Sequence, residues 1–167
     1  MWKANIEDRY ADDLQGEERF AFLRDLPGPL VALFVHGKRD VEVRLQQVGH
    51  IDGADDATYP LLYDERWIAY ATKDGVPIAM YEFFAGKADP YDPPVAGARL
   101  IGAAISVDAA HLNVGIGRGM VASLYDAGVL IVPSGKMTVA GAALFNALQA
   151  SGVDVPSAGR ITCPWPR

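Results

Sequence analysis

Apolar and polar residues alternate in two stretches of the first half of the chain, and each stretch predicts a β-hairpin. In the first, Leu30–Val35 is apolar, the letters HGKRD are typical of a turn, and Val41–Val48 alternates. In the second, Trp67–Thr72 and Val76–Phe84 flank Lys73-Asp74-Gly75. Asp-Gly favours the two-residue turn that joins antiparallel strands. The first half of the chain is therefore predicted to be antiparallel in character.

The second half alternates between strand-like and helix-like patterns. Leu100–Val107 is an apolar run typical of a buried strand, and Val129–Val132 is a short run typical of a parallel strand. Between them, Gly117–Ala127 predicts a helix that Gly128 ends. Thr138 can cap a second helix over Val139–Ala150, and Gly152 can end it. Together the two halves predict an α/β fold, with a mixed, mostly antiparallel sheet flanked by helices.

The remaining segments carry weaker signals. Residues 3–25 mix apolar and charged positions, and Pro27-Gly28-Pro29 would end any helix that forms there. Gly49–Asp56 and Gly86–Gly97 are predicted loops, and Ile161–Trp165 is predicted to add a final short strand. We expect residues 1–167 to form a single domain.

Composition narrows the class of protein. The net charge of −6 disfavours nucleic acid as a partner, because binding to phosphates needs Lys and Arg. Cys163 is the single cysteine, so no intramolecular disulfide can form, and we expect no metal site. The sequence carries no signal-peptide pattern and no run of 18 apolar residues. We therefore expect a cytoplasmic protein without a membrane segment, for which a homodimer is compatible with the sequence.

The glycines between residues 113 and 119 suggest a specific ligand chemistry. They follow a predicted strand and open a predicted helix, which would place backbone N–H groups and a helix dipole at one point. A dinucleotide fingerprint does not fit, because Met120 stands where its third glycine belongs. A Walker loop does not fit Gly135-Lys136-Met137 either, which lacks the upstream glycine and the final hydroxyl. A tight strand-to-helix turn with no ligand stays open as the alternative.

The stretch VDAAHLNVGIGRGMVASLY resembles the strand, loop and helix of the GNAT superfamily of N-acetyltransferases. In that family an (Arg/Gln)-x-x-Gly-x-(Gly/Ala) loop wraps the pyrophosphate of acetyl-coenzyme A, and Gly115 and Gly117 match its two small positions. The downstream stretch VPSGKMTVAGAALFNAL is similar to some phage and bacterial members. The resemblance covers residues 67–150, whereas residues 1–60 diverge.

The resemblance implies a GNAT-like domain that binds acetyl-coenzyme A and transfers its acetyl group to the amine of a small molecule or protein. The expected cofactor-binding residues are Val107, Asn113, Val114, Gly115, Ile116, Gly117 and Arg118. The cofactor arm would pair with the edge of the strand Leu100–Val107. A backbone N–H near Ser106 or Val107 would stabilise the oxyanion.

Candidate catalytic residues follow from the same resemblance, and each has a structural alternative. Glu82, Asp108 or His111 could act as the base, and Tyr125 or Ser134 as the acid. Glu82 could equally be a solvated sheet residue. Asp108 stands where a helix-entry loop often carries an N-cap carboxylate, and a lone loop histidine is more often merely exposed.

Two departures from the family pattern keep other functions open. Leu112 stands where the loop motif has Arg or Gln, and Phe145 stands where the family has its usual acid tyrosine. Both favour the alternative of a catalytically inactive GNAT-fold binding module, such as a phage-encoded factor that masks a bacterial partner. A relative that modifies a nucleobase is a third class, which the acidic charge balance disfavours.

Overall fold

The predicted strands form a six-stranded sheet in a computed structural model of the chain, which describes residues 20, 22–26, 28–50, 65–85, 100–129, 131–133 and 138–156. Strand order in the sheet follows the chain, and neighbours are antiparallel except for the parallel pair β5 and β6. The strands are β1 Leu30–His36, β2 Arg39–His50, β3 Glu65–Lys73, β4 Val76–Ala85, β5 Leu100–Val107 and β6 Ile131–Val132.

Two α-helices pack on one face of the sheet in the described residues. Helix α1 (Ile116–Asp126) connects β5 to β6, and helix α2 (Val139–Ala150) follows β6. Two short 3-10 segments, Phe22–Asp25 and Ala109–His111, precede β1 and α1 respectively. The prediction of a mixed α/β fold with a mostly antiparallel sheet is confirmed.

The turn and capping signals of the sequence are used as predicted. Asp74 and Gly75 both have positive φ, 51° and 78°, which is the geometry of a type I′ hairpin turn. Thr138 caps α2, since its hydroxyl accepts from the Gly141 N–H at 3.1 Å. Gly128 and Gly152 follow the two helices with φ of 82° and 89°, values that glycine adopts without steric cost.

One predicted loop begins later than expected. Gly49 and His50, assigned to the loop Gly49–Asp56, continue β2 and pair with Arg66 and Glu65. The register shifts between Gln47 and Gly49, and such an irregularity lets a strand continue through a glycine. The predicted loop Gly86–Gly97, the final strand Ile161–Trp165 and most of residues 3–25 lie outside the described residues.

The two faces of the sheet carry two separate hydrophobic cores. On one face, alternate residues of β2, β3 and β4 pack against both helices. The buried sheet residues of this face include Val41, Val43, Ala69, Ala71, Ala79, Tyr81 and Phe83. On the other face, Phe20 and Leu23 cover Ile68, Tyr70 and Met80. The Tyr70 hydroxyl donates to the Leu26 carbonyl at 2.6 Å, which ties the 3-10 segment to that face.

The first turn of α1 lies between strands β1 and β5. Gly117 packs against Val107 of β5, whereas Gly119 packs against Phe34 of β1. Residues two apart point to opposite sides of a helix, so α1 contacts both strands at the same level. α1 therefore lies across the face of the sheet between β1 and β5.

Gly102 on β5 makes room for a tyrosine at the point where the β5–β6 pairing ends. The Tyr81 hydroxyl occupies the space that a Cβ atom on residue 102 would need. Tyr81 is itself buried and packs on Phe83, with ring centroids 4.2 Å apart. The chain therefore needs glycine at position 102 for close packing.

We predict that Gly102→Ala lowers the free energy of unfolding by about 1–3 kcal/mol, because the added methyl group collides with a ring that has no free space. Urea unfolding of both proteins measures the loss. The same substitution in a Tyr81→Phe background should cost less, because the nearest atom is gone. An equal loss in both backgrounds would contradict the proposed contact.

Candidate functional site

Asp108 ends β5 and begins the loop that leads to α1. Its N–H donates to the Ile78 carbonyl at 2.8 Å, so the chain is still held to β4 at this point. Its carboxylate accepts from the Ala110 N–H at 3.3 Å and from His111 Nδ1 at 3.0 Å. The capping role considered for Asp108 is therefore present, and it brings Asp108 and His111, two candidate bases, into contact.

The amino end of α1 offers backbone N–H groups without a side-chain cap. Gly115, with φ of 90°, is the N-cap and contributes no side-chain hydrogen bond. The first i→i+4 bond runs from the Gly119 N–H to the Gly115 carbonyl at 2.9 Å. The N–H groups of Ile116, Gly117 and Arg118 therefore have no carbonyl acceptor within the helix. They lie at the positive end of the helix dipole.

The predicted cofactor-binding residues divide by exposure. Asn113, Val114, Gly115 and Arg118 are exposed, whereas Ile116 and Gly117 are buried. Because the Ile116 side chain belongs to the core, only its backbone can meet a ligand. Asn113 has φ of 60°, a conformation that asparagine tolerates better than most residues.

The fold itself requires glycine, or favours it, at positions 115, 117 and 119. Gly115 adopts a positive φ, and the ring of Phe34 fills the space beside Gly119. A Cβ on Gly117 would lie 3.3 Å from Leu144 and 3.6 Å from Val107. The missing side chain of Gly117 therefore serves helix packing, so a bulky residue there would disturb the fold whether or not a ligand binds.

His36 fixes the loop from the opposite edge of the sheet. Its Nε2 lies 3.0 Å from the Val114 carbonyl, which can only accept, so Nε2 carries the proton. Its Nδ1 is buried without a hydrogen-bond partner in the structure as described. No local sequence pattern marks His36 as a site residue, because its contact joins residues 78 positions apart.

β5 has a free edge next to the α1 loop. β6 pairs only with Leu100 and Ile101, and no described strand pairs with this side of β5 beyond them. Amides alternate in direction along a strand, and the Asp108 N–H points to β4. The N–H groups of Ile105 and Val107 therefore point to the free edge, and that of Ser106 points to β4. Of the two amides suggested for the oxyanion, Val107 faces the free edge.

The remaining catalytic candidates are separated from one another. Glu82 is half-buried and pairs with Ile68, so it lies on the sheet face opposite α1. The Tyr125 hydroxyl donates to the Ile131 carbonyl at 2.7 Å, which joins α1 to β6. Ser134 lies outside the described residues.

The two departures from the family motif differ in exposure. Phe145 is 3% exposed and belongs to the core beneath α2. Its side chain has no hydroxyl, so it cannot donate the proton that the tyrosine of the GNAT motif would donate. Leu112 is 41% exposed and ends the 3-10 turn Ala109–His111. No described helix is long and apolar enough to cross a membrane. Within the described part of the chain, no three His, Cys, Asp or Glu residues form a potential metal-binding group.

Comparison with known proteins identifies no relative, since no family model, curated protein or solved structure matches the chain. The resemblance to the GNAT superfamily therefore rests on the motifs alone.

The burial of Tyr125 predicts how the stability of the fold depends on pH. Burial raises the pKa of the Tyr125 phenol above its ordinary value near 10. The unfolded chain therefore ionises first, and the stability that protonated Tyr125 contributes is present below about pH 10 and lost as pH rises above it. We predict that the stability difference between wild type and Tyr125→Phe shrinks from pH 8 to pH 11. Urea unfolding of both proteins across this pH range measures the difference. A difference that stays constant would contradict a raised pKa for Tyr125.

Proposed function

We propose that the chain binds acetyl-coenzyme A where β5 meets α1 and transfers its acetyl group to an amine. The observation that carries this proposal is the uncapped amino end of α1 beside a free strand edge. Acetyl-coenzyme A brings two chemistries, a polyanionic pyrophosphate and an amide-containing arm, and the chain has a complementary feature for each. A GNAT-like arrangement of strand, loop and helix is part of the same proposal.

The phosphate-binding part would be the first turn of α1. The amides of Ile116, Gly117 and Arg118 can donate to phosphate oxygens, and the helix dipole favours negative charge there. Arg118 is exposed in this turn and can add a charged contact. It would take over part of the role that Leu112 cannot play. The His36 contact holds the preceding loop in place.

The arm-binding part would be the edge of β5. The backbone groups of Ile105 and Val107 face this edge and can pair with amides as an added strand would. The Val107 N–H can donate to a carbonyl oxygen that gains negative charge during acyl transfer. Acetyl-coenzyme A supplies the activated acetyl group, and the chain supplies position and hydrogen bonds.

A second candidate function is binding without transfer. It is favoured by the internal hydrogen bond of the Tyr125 hydroxyl and by the buried, apolar Phe145. Neither residue presents a free acid to a leaving thiolate. Binding and turnover must therefore be measured separately.

We predict that isothermal titration detects acetyl-coenzyme A binding and that Arg118→Gln weakens it by up to about fivefold, as expected for an exposed ion pair. Arg118→Glu should weaken it further, because the new carboxylate repels phosphate. Gln149→Glu, in the last turn of α2, changes the net charge by the same amount as Arg118→Gln and should have little effect.

Absence of binding at high micromolar concentrations would overturn the proposal. Equal weakening by Gln149→Glu would show that only net charge matters. Formation of free thiol with an amine present, followed with a thiol reagent, separates the transferase from the binding module.

A further inference from the structure

A small pocket lies at the end of β5, on the side that faces β4 and the 3-10 segment Phe22–Asp25. It has a volume of about 90 Å³, whereas one water needs roughly 10–15 Å³. Phe20, Pro77 and Ile78 form its apolar wall, and its polar lining includes Arg24, Asp108 and His111. The pocket therefore combines hydrocarbon surface with a cation, a carboxylate and an imidazole.

The hydrogen bond from His111 to Asp108 determines which ring nitrogen a ligand can use. Asp108 Oδ2 lies 3.0 Å from His111 Nδ1, and a carboxylate can only accept, so Nδ1 carries the proton. In the neutral ring, Nε2 is then left with its lone pair. Asp108 is itself held by the Ala110 N–H, so the orientation of the imidazole is fixed. The side chains of His111 and Asp108 are 26% and 27% exposed, and both line the pocket.

Arg24 brings the positive charge. It is an exposed residue of the 3-10 segment that Tyr70 anchors to the sheet. It forms no ion pair with any residue whose side chain the structure describes, whereas Arg39 and Arg44 are paired with Asp74 and Glu42. A guanidinium in this position can bind a carboxylate through two parallel hydrogen bonds.

We propose that this pocket binds an α-amino acid with an apolar side chain. Arg24 binds the carboxylate, His111 Nε2 accepts from the amino group, and the side chain packs on Phe20 and Pro77. A simple alkylamine would leave Arg24 unpaired and would be repelled by it. A simple carboxylic acid would leave Nε2 without a donor.

The pocket also suggests an acceptor for the proposed acetyl transfer, and this part of the inference rests on the proposed function. His111 Nε2 takes one proton from the ammonium group, and the freed nitrogen bonds to the acetyl carbon. The carbon–sulfur bond breaks, the leaving thiolate takes the second proton of the nitrogen, and His111 releases the first proton to solvent. Asp108 acts as a positioning residue that stabilises the protonated imidazole.

The test compares three ligands by isothermal titration in the absence of acetyl-coenzyme A. L-leucine carries the amine, the carboxylate and an apolar side chain, leucinamide lacks the carboxylate, and 4-methylpentanoate lacks the amine. We expect leucine to bind at least about tenfold more tightly than either analogue. Leucine that binds no better than both analogues, or no leucine binding at millimolar concentrations, would overturn the inference.

Substitutions of Arg24 and His111 test which side chain contacts each group of the ligand. Arg24→Gln should weaken leucine binding about tenfold without weakening leucinamide, whose ammonium group Arg24 repels. Arg24→Lys should recover only part of the affinity for leucine, because an ammonium cannot form the two parallel hydrogen bonds. His111→Gln should weaken leucine and leucinamide but not 4-methylpentanoate. Arg39→Gln removes the same charge outside the pocket and should have no effect. Uniform losses across all three ligands would contradict these assignments, and thermal melting checks that each variant folds.

A parallel titration with acetyl-coenzyme A separates the two proposals. Binding of acetyl-coenzyme A without binding of leucine overturns this inference and leaves the proposed function standing. Binding of leucine without acetyl-coenzyme A supports the pocket and overturns the transferase.

Discussion

The close packing of α1 against both β1 and β5 controls the arrangement of the candidate site. Gly117 meets β5 and α2, and Gly119 meets the ring of Phe34 on β1, so the first turn of the helix has little freedom to move. The hydrogen bond between His36 and the Val114 carbonyl adds a third point of attachment. The amides at the start of α1 are consequently held at the end of β5, where the strand edge is free.

This packing changes how the glycine pattern should be interpreted. The glycines satisfy a positive φ and two close contacts, and these needs exist without any ligand. Glycine as an N-cap costs only a few tenths of a kcal/mol relative to Ser or Asp, so the missing side-chain cap does not by itself require a ligand. The position of the amides beside the free edge and Arg118 therefore favours an anion, and the glycines do so only indirectly.

The sequence predicted the features that depend on neighbouring residues. The Asp74-Gly75 turn, the bounds of β5 and the glycines after both helices follow from local conformational preferences. The contacts of α1 with both β1 and β5 depend on tertiary packing, which no local period encodes. The same is true of the contact between His36 and Val114 and of the presence of Arg24 and Asp108 in one pocket lining. The position of Glu82 on the face opposite α1 likewise required the strand register.

At Asp108 the structural role and the proposed functional role depend on the same side chain. Its backbone ends the β4–β5 pairing, and its carboxylate caps the following turn. The same carboxylate holds His111 Nδ1, so the local geometry that closes the turn also fixes the tautomer of the imidazole. Val107 and Asp108 are adjacent, yet their amides point to opposite sides of β5. One strand end thus carries both the free edge and the pocket, so that under the proposed function a donor and an acceptor would approach from opposite sides of β5.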